Sequence, residues 1–140
     1  MTMTRIEASA TLPGEHFSRV ALTAESVALL RKLWEQHGPL MFHLSGGCCD
    51  GSVPMCYPAS DFLTGEIDVL LGRFDISIRD GRSNPAPQFV DFWMSKEQFS
   101  YWSHTHLTVD VAVGRGSGFS LESPQDKRFL IRSRLMDWPA

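Results

Sequence analysis

Short apolar runs of strand length, each cut off by glycine, proline or aspartate, recur along this chain and constrain its fold more than any other feature. "PLMFHL", "FVDFWM", "HLTVDVAVG" and "KRFLIRSR" are the clearest. In the third, Leu107, Val109, Val111 and Val113 alternate with polar or small residues, which gives an extended strand one apolar face. The stretch from Met55 to Gly81 predicts further short strands, broken at Pro58, Gly65 and Asp80-Gly81, with Ile67, Val69 and Leu71 alternating. "SNPAP" reads as a loop, and "GFSLES" as an extended return after "GRGSG".

Two segments carry a helical period instead. In "TAESVALLRKLWEQHG", Thr23 is an N-cap, Glu25 lies in the first turn, and Gly38 with Pro39 ends the pattern. Val27, Leu30 and Trp34, with Leu29 and Leu33, form an apolar stripe, so a helix from Ala24 to His37 is expected to cover a sheet. In "SKEQFSYWSHT", Ser95 and Gln98 have capping-box spacing and Phe99 and Trp102 stand three apart, which predicts a helix from Lys96 to about His104. The expected fold class is mostly β with two helices, an α+β arrangement. At 140 residues the chain fits a single domain, residues 1–140, with a partly ordered N-terminal segment over 1–20 and a tail over 135–140. No period of 20 to 50 residues recurs.

Charge narrows the partners. A net charge of -3, with 13 Lys and Arg scattered along the chain, gives no basic field for phosphate backbones, so nucleic acid is not expected as a partner. No apolar run approaches the roughly 20 residues of a membrane span, and "MTMTRIEASA" lacks the apolar core of a signal peptide. No membrane association and a cytoplasmic location, where thiols stay reduced, are the expectations.

Against that background the cysteines stand out. All three fall within "HLSGGCCDGSVPMC", with Cys48 and Cys49 adjacent and Cys56 following. The C-x-x-C knuckle of a zinc ribbon is absent, but Gly46, Gly47 and Gly51 permit concave turns whose backbone N–H groups favour thiolates. Three small side chains packed beside glycine turns are the plain alternative. A bridge between the adjacent Cys48 and Cys49 is geometrically disfavoured, and one to Cys56 is easier. "SHTH" places His104 and His106 two apart, and His43 precedes Cys48 by five, so imidazoles could complete a thiolate site, with Asp50, Asp91 or Asp110 as ligands or partners fixing a tautomer. "GRGSG" matches neither phosphate-loop fingerprint and reads as a strand connection; hydrolase elbows and the H-E-x-x-H pair are absent.

"LSGGCCDGSVPMC", "FWMSKEQFSYWSHTHLTVDVAVGRGSGFSLES" and "KRFLIRSR" resemble a bacterial domain-of-unknown-function family, number 779. That resemblance implies genes often placed beside aldehyde dehydrogenases, and hence an aldehyde dehydrogenase as a partner. More distantly, "SGGCCDG" and the order of elements after it resemble A-type iron-sulfur carriers of the HesB/IscA-like group. This second resemblance implies a small β-sandwich-type domain in which Cys48 takes the place of the first cluster ligand. The Cys-Gly-Cys tail of those carriers has no counterpart in "SPQDKRFLIRSRLMDWPA", so Cys49, Cys56 or a histidine would supply the remaining ligands, across a homodimer interface if need be. The expected function is a metal- or iron-sulfur-binding accessory protein without an identified reaction, holding iron, zinc or a cluster on Cys48, Cys49, Cys56, His104 and His106. A thiol-redox protein and a non-catalytic partner of an aldehyde dehydrogenase are the other expectations.

Overall fold

Pairing of strands that are distant in sequence organises this chain. A computed structural model describes residues 6–12, 14–44, 52–60, 64–77, 87–114, 120–122, 124 and 126–136. Among them the chain order is β1 (Ile6–Glu7), β2 (Val20–Leu22), α1 (Ala24–His37), β3 (Leu40–Leu44), β4 (Met55–Pro58), β5 (Asp68–Asp75), β6 (Phe89–Ser95), α2 (Lys96–Trp102), β7 (Thr105–Val113) and β8 (Lys127–Leu135). One sheet has the order β1-β2-β7-β8 and the other β4-β3-β6-β5. The fold is mostly β with two helices, as the apolar runs imply.

Each half of the chain is built alike: a hairpin, a helical crossover to the opposite sheet, and a second hairpin. β1–β2 and β7–β8 are antiparallel pairs of the first sheet, and β3–β4 and β5–β6 are antiparallel pairs of the second. The helices carry the chain from β2 to β3 and back from β6 to β7, and the two central contacts, β2 with β7 and β3 with β6, are parallel. Thr23 and Ser95 hold equivalent places, each accepting a hydrogen bond from the backbone N–H three residues on, Ser26 and Gln98. The expected first helix has the bounds read from its caps, and Gly38 ends it at φ 78, a conformation side chains with a Cβ rarely adopt.

The sheets face each other through Phe42, Phe92 and Phe129, all fully buried, with Phe42 edge-on to Phe129 at 4.9 Å between centroids. α1 adds Val27, Leu29, Leu30 and Leu33 to this core and is tied to both sides: the Ser26 hydroxyl donates to the Val109 carbonyl at 2.7 Å, and Arg31 Nε donates to the carbonyl of Ile76 at 2.7 Å. No helix among the described residues is long and apolar enough to cross a membrane.

Three details differ from the sequence reading. α2 stops at Trp102 rather than near His104, because the Thr105 hydroxyl binds the Trp102 carbonyl at 2.7 Å and β-branched Thr105 opens β7. Ile67 precedes β5 and is 74% exposed, while a bulge between Leu70 and Gly72 resets the alternation in that strand. Residues 120–122 of "GFSLES" form a turn, because their donors engage a neighbouring strand rather than a ladder of their own. From residue 6 the N-terminal segment is built into the fold: Ala8 is buried, and Arg19, 4% exposed, pairs with both carboxylate oxygens of Glu15 at 2.7 Å and donates to the Ser103 carbonyl. "SNPAP" up to residue 86 and most of "GRGSG" lie outside the described residues.

Both long sides of the sandwich are closed by hydrogen bonds between edges. On one side Ser9 bridges Arg73, and on the other the Ile131 N–H donates to the Ser52 carbonyl at 2.8 Å. The first closure depends on Gly72, where an added Cβ would stand 2.6 Å from the Ala8 Cβ and 2.9 Å from Val20 Cγ1. Gly72→Ala is therefore expected to lower stability by about 1–3 kcal/mol through overpacking, measured by urea unfolding. An unchanged midpoint would show that the edges separate freely.

Candidate functional site

The β3–β4 hairpin carries the double cysteine in its connection. The two strands pair from Leu40↔Pro58 to His43↔Met55, and residues 45–54 join them. Cys48, Cys49 and Asp50 lie outside the described residues. Cys56 lies inside them, on the inward row with Phe42 and Phe92, fully buried and a free thiol.

A buried polar clasp surrounds Cys56. Its N–H donates to the Ser120 hydroxyl oxygen at 2.8 Å, and its carbonyl accepts from the Leu121 N–H at 3.0 Å. Ser120 in turn donates to one oxygen of Glu122, and the other oxygen accepts from the Phe129 N–H at 3.2 Å. Glu122 has no exposed surface. Burial pushes its carboxyl above the usual glutamate value, and the hydrogen bonds from Ser120 and the backbone pull the other way without cancelling the effect. Burial, with the negative charge of Glu122 beside it, pushes the Cys56 thiol well above its ordinary value. Such a thiol is a poor nucleophile, since attack needs the thiolate.

His43 and Asp68 form a second buried pair, His43 Nε2 standing 2.7 Å from Asp68 Oδ1 with both side chains under a tenth exposed. Burial acts to raise the Asp68 carboxyl, but the bond and charge of His43 and the Gly65 N–H outweigh it and hold the group below its ordinary value. The pair fixes the start of β5 against the end of β3, close in sequence to the double cysteine.

The remaining candidates are dispersed. His104 is exposed at the turn between α2 and β7. His106 is buried on the face of β7 opposite the core residues Leu107 and Val109, with Nε2 at 2.7 Å from Glu7 Oε1. Asp91 is engaged by Arg73 and Asp110 by Arg132. The described residues do not bring Cys56 together with His104 or His106, and they contain no group of three His, Cys, Asp or Glu that could hold a metal ion. Sequence reasoning missed Glu122 and Ser120, which "GFSLES" presents as ordinary strand residues; a lone Glu among Phe, Leu and Ser was the only available sign.

With this geometry in place, comparison with known families is decisive at one level. Residues 29–135 match the model of a domain of unknown function, DUF779. The chain belongs to that family. No curated protein and no solved structure matches it. The DUF779 match runs from within α1 to the end of β8, so it takes in the larger part of α1, all of α2, the cysteine hairpin and the clasp.

Two outcomes follow from the clasp. Native protein treated with a small maleimide should leave Cys56 unmodified, with modification appearing only after denaturation, as read by peptide mass mapping; prompt native labelling would contradict the burial. The second concerns pH. A carboxyl whose folded value is raised contributes stability in full below the unfolded value, about 4.5, and loses it as pH rises through the folded value. Glu122→Gln should therefore flatten the decline in unfolding free energy above that pH, so that wild type and variant differ by amounts that change with pH; a constant difference would assign Glu122 no such role.

Proposed function

We propose that this DUF779 protein is a small metal- or iron-sulfur-binding accessory protein whose ligands are Cys48 and Cys49. The observation that carries the reading is the hairpin register. β3 and β4 remain paired up to His43↔Met55, so "SGGCCDG" closes a hairpin whose strands are anchored in the core, with His43 held by Asp68 and Cys56 held by Ser120 and Leu121. A fixed base limits the conformational entropy lost when a connection is ordered around a ligand. The likeness of this run to the first cysteine turn of A-type carriers supports Cys48 as a ligand, and a HesB-like relationship would accommodate the sandwich.

Cys56 is fully buried among core residues, and His106 Nε2 is engaged by Glu7. Two thiolates fall short of the four that a structural zinc or a cluster takes, so the set is completed by Cys48 and Cys49 of a second copy, with a homodimer formed around iron, zinc or an iron-sulfur cluster. In this reading the protein works in the cytoplasm, and its client is an aldehyde dehydrogenase, on the strength of the family resemblance.

Anaerobic purification and reconstitution, followed by metal analysis, visible absorption and size-exclusion chromatography, test the proposal. The expected result is one metal centre per two chains, a dimer that dissociates on chelation, loss of both in Cys48→Ser and Cys49→Ser, and retention of both in Cys56→Ala. Absence of any metal after reconstitution, or a loss confined to Cys56→Ala, would overturn it.

A further inference from the structure

The outer face of the first sheet carries a polar groove of about 280 Å³, lined by His106, Thr108, Arg132, Ser133 and Arg134. Its pattern is set by register. His106 stands directly opposite Arg134 and Thr108 directly opposite Arg132, so an imidazole, a hydroxyl and two guanidinium groups occupy one four-residue patch on β7 and β8.

One atom in this patch is unsatisfied. His106 is 3% exposed, and its Nδ1 is buried with no hydrogen-bond partner among the described residues. The opposite ring nitrogen faces the Glu7 carboxylate at 2.7 Å, which can only accept, so in the neutral ring the proton belongs on Nε2 and Nδ1 presents a lone pair. An unpaired buried acceptor is costly, and groups left so in a folded protein point to an absent partner. Arg132 is 61% exposed and shares its Nε with Asp110, while Arg134 is exposed and forms no ion pair among the described residues.

We infer that this groove binds a small oxyanion that also carries a hydroxyl proton, of the hydrogen phosphate class, with His106 Nδ1 accepting the O–H and Thr108, Arg132 and Arg134 holding the anionic oxygens. Charge alone would accept any oxyanion; the lone pair on Nδ1 selects one that can donate. Glu7 acts as the positioning residue that fixes the tautomer. The site uses no cysteine and is independent of the metal reading.

Titration of the full-length protein with inorganic phosphate, sulfate and a simple phosphate monoester near pH 7, read by calorimetry and by the imidazole nitrogen signals of His106, tests the inference. Phosphate is expected to bind and to shift the Nδ1 signal, and sulfate and the monoester, which near pH 7 has largely lost its second proton, to bind roughly tenfold more weakly. Arg134→Gln and Thr108→Val, which leave the core untouched, should each weaken phosphate by about tenfold. Equal affinity for sulfate and phosphate, an unmoved His106 signal, or phosphate binding unaffected by Arg134→Gln would each overturn it. Monoester binding without phosphate binding would also overturn it, by placing recognition in the organic part.

Discussion

The parallel pairing of β2 with β7 and of β3 with β6 is the constraint on which the rest of this fold depends. Parallel neighbours cannot be joined by a tight hairpin, so each must be reached by a longer route. Here β3 reaches β6 by way of β4, β5 and the connection between them, and β2 reaches β7 through all of these and both helices, each helix carrying the chain from one sheet to the other. The consequence is a sandwich in which every sheet holds two central strands from different halves of the chain, flanked by antiparallel partners from the same half. Neither half can complete a sheet alone. The hydrophobic core is therefore shared, as Phe42 of the first half packs between Phe92 and Phe129 of the second.

This arrangement explains what could be read from the sequence. The caps at Thr23 and Ser95, the strand at Leu40–Leu44 and the alternation through Thr105–Val113 are local signals, decided within a few residues by capping, periodicity and turn chemistry. The halves' common plan was illegible because it is carried by the order of elements, with little shared side-chain identity: α1 has fourteen residues and α2 seven, and Leu30 is matched by Trp102 as a buried helix residue. No search for repeats of 20 to 50 residues would meet it. The bulge at Leu70–Gly72 was equally hidden, since it answers to Ala8 and Val20, which approach from far along the chain.

The candidate site divides in the same way. The clustering of cysteines is visible in one line of sequence, and the resemblance to carriers singles out Cys48. The surroundings of Cys56 are not visible there, because they come from residues 120–122 and Phe129, brought to it by the second hairpin. A side chain's protonation depends on what surrounds it, and for Cys56 the surroundings are a buried carboxyl and an aromatic core. His106 shows the converse. Its spacing from His104 pointed to a shared site; His106 is buried on the face of β7 away from the core, whereas His104 is exposed at the turn before that strand.

The common plan also relates the two glycine-rich segments. The connection after β3 carries "SGGCCDG" and the connection after β7 carries "GRGSG", so they are the same element of the two halves, each joining the strands of the hairpin that follows a crossover helix. Each also reaches the edge strand of the other half: the Ser52 carbonyl accepts from Ile131 of β8, and the Leu121 N–H donates to Cys56 of β4. The exchange is reciprocal, and it ties the ends of both connections to one side of the sandwich. A change that loosens Glu122 would therefore act on the cysteine connection without touching it, through Ser120 and the backbone of Cys56. Burial of that carboxyl, costly in itself, is what gives the two loops a common anchor.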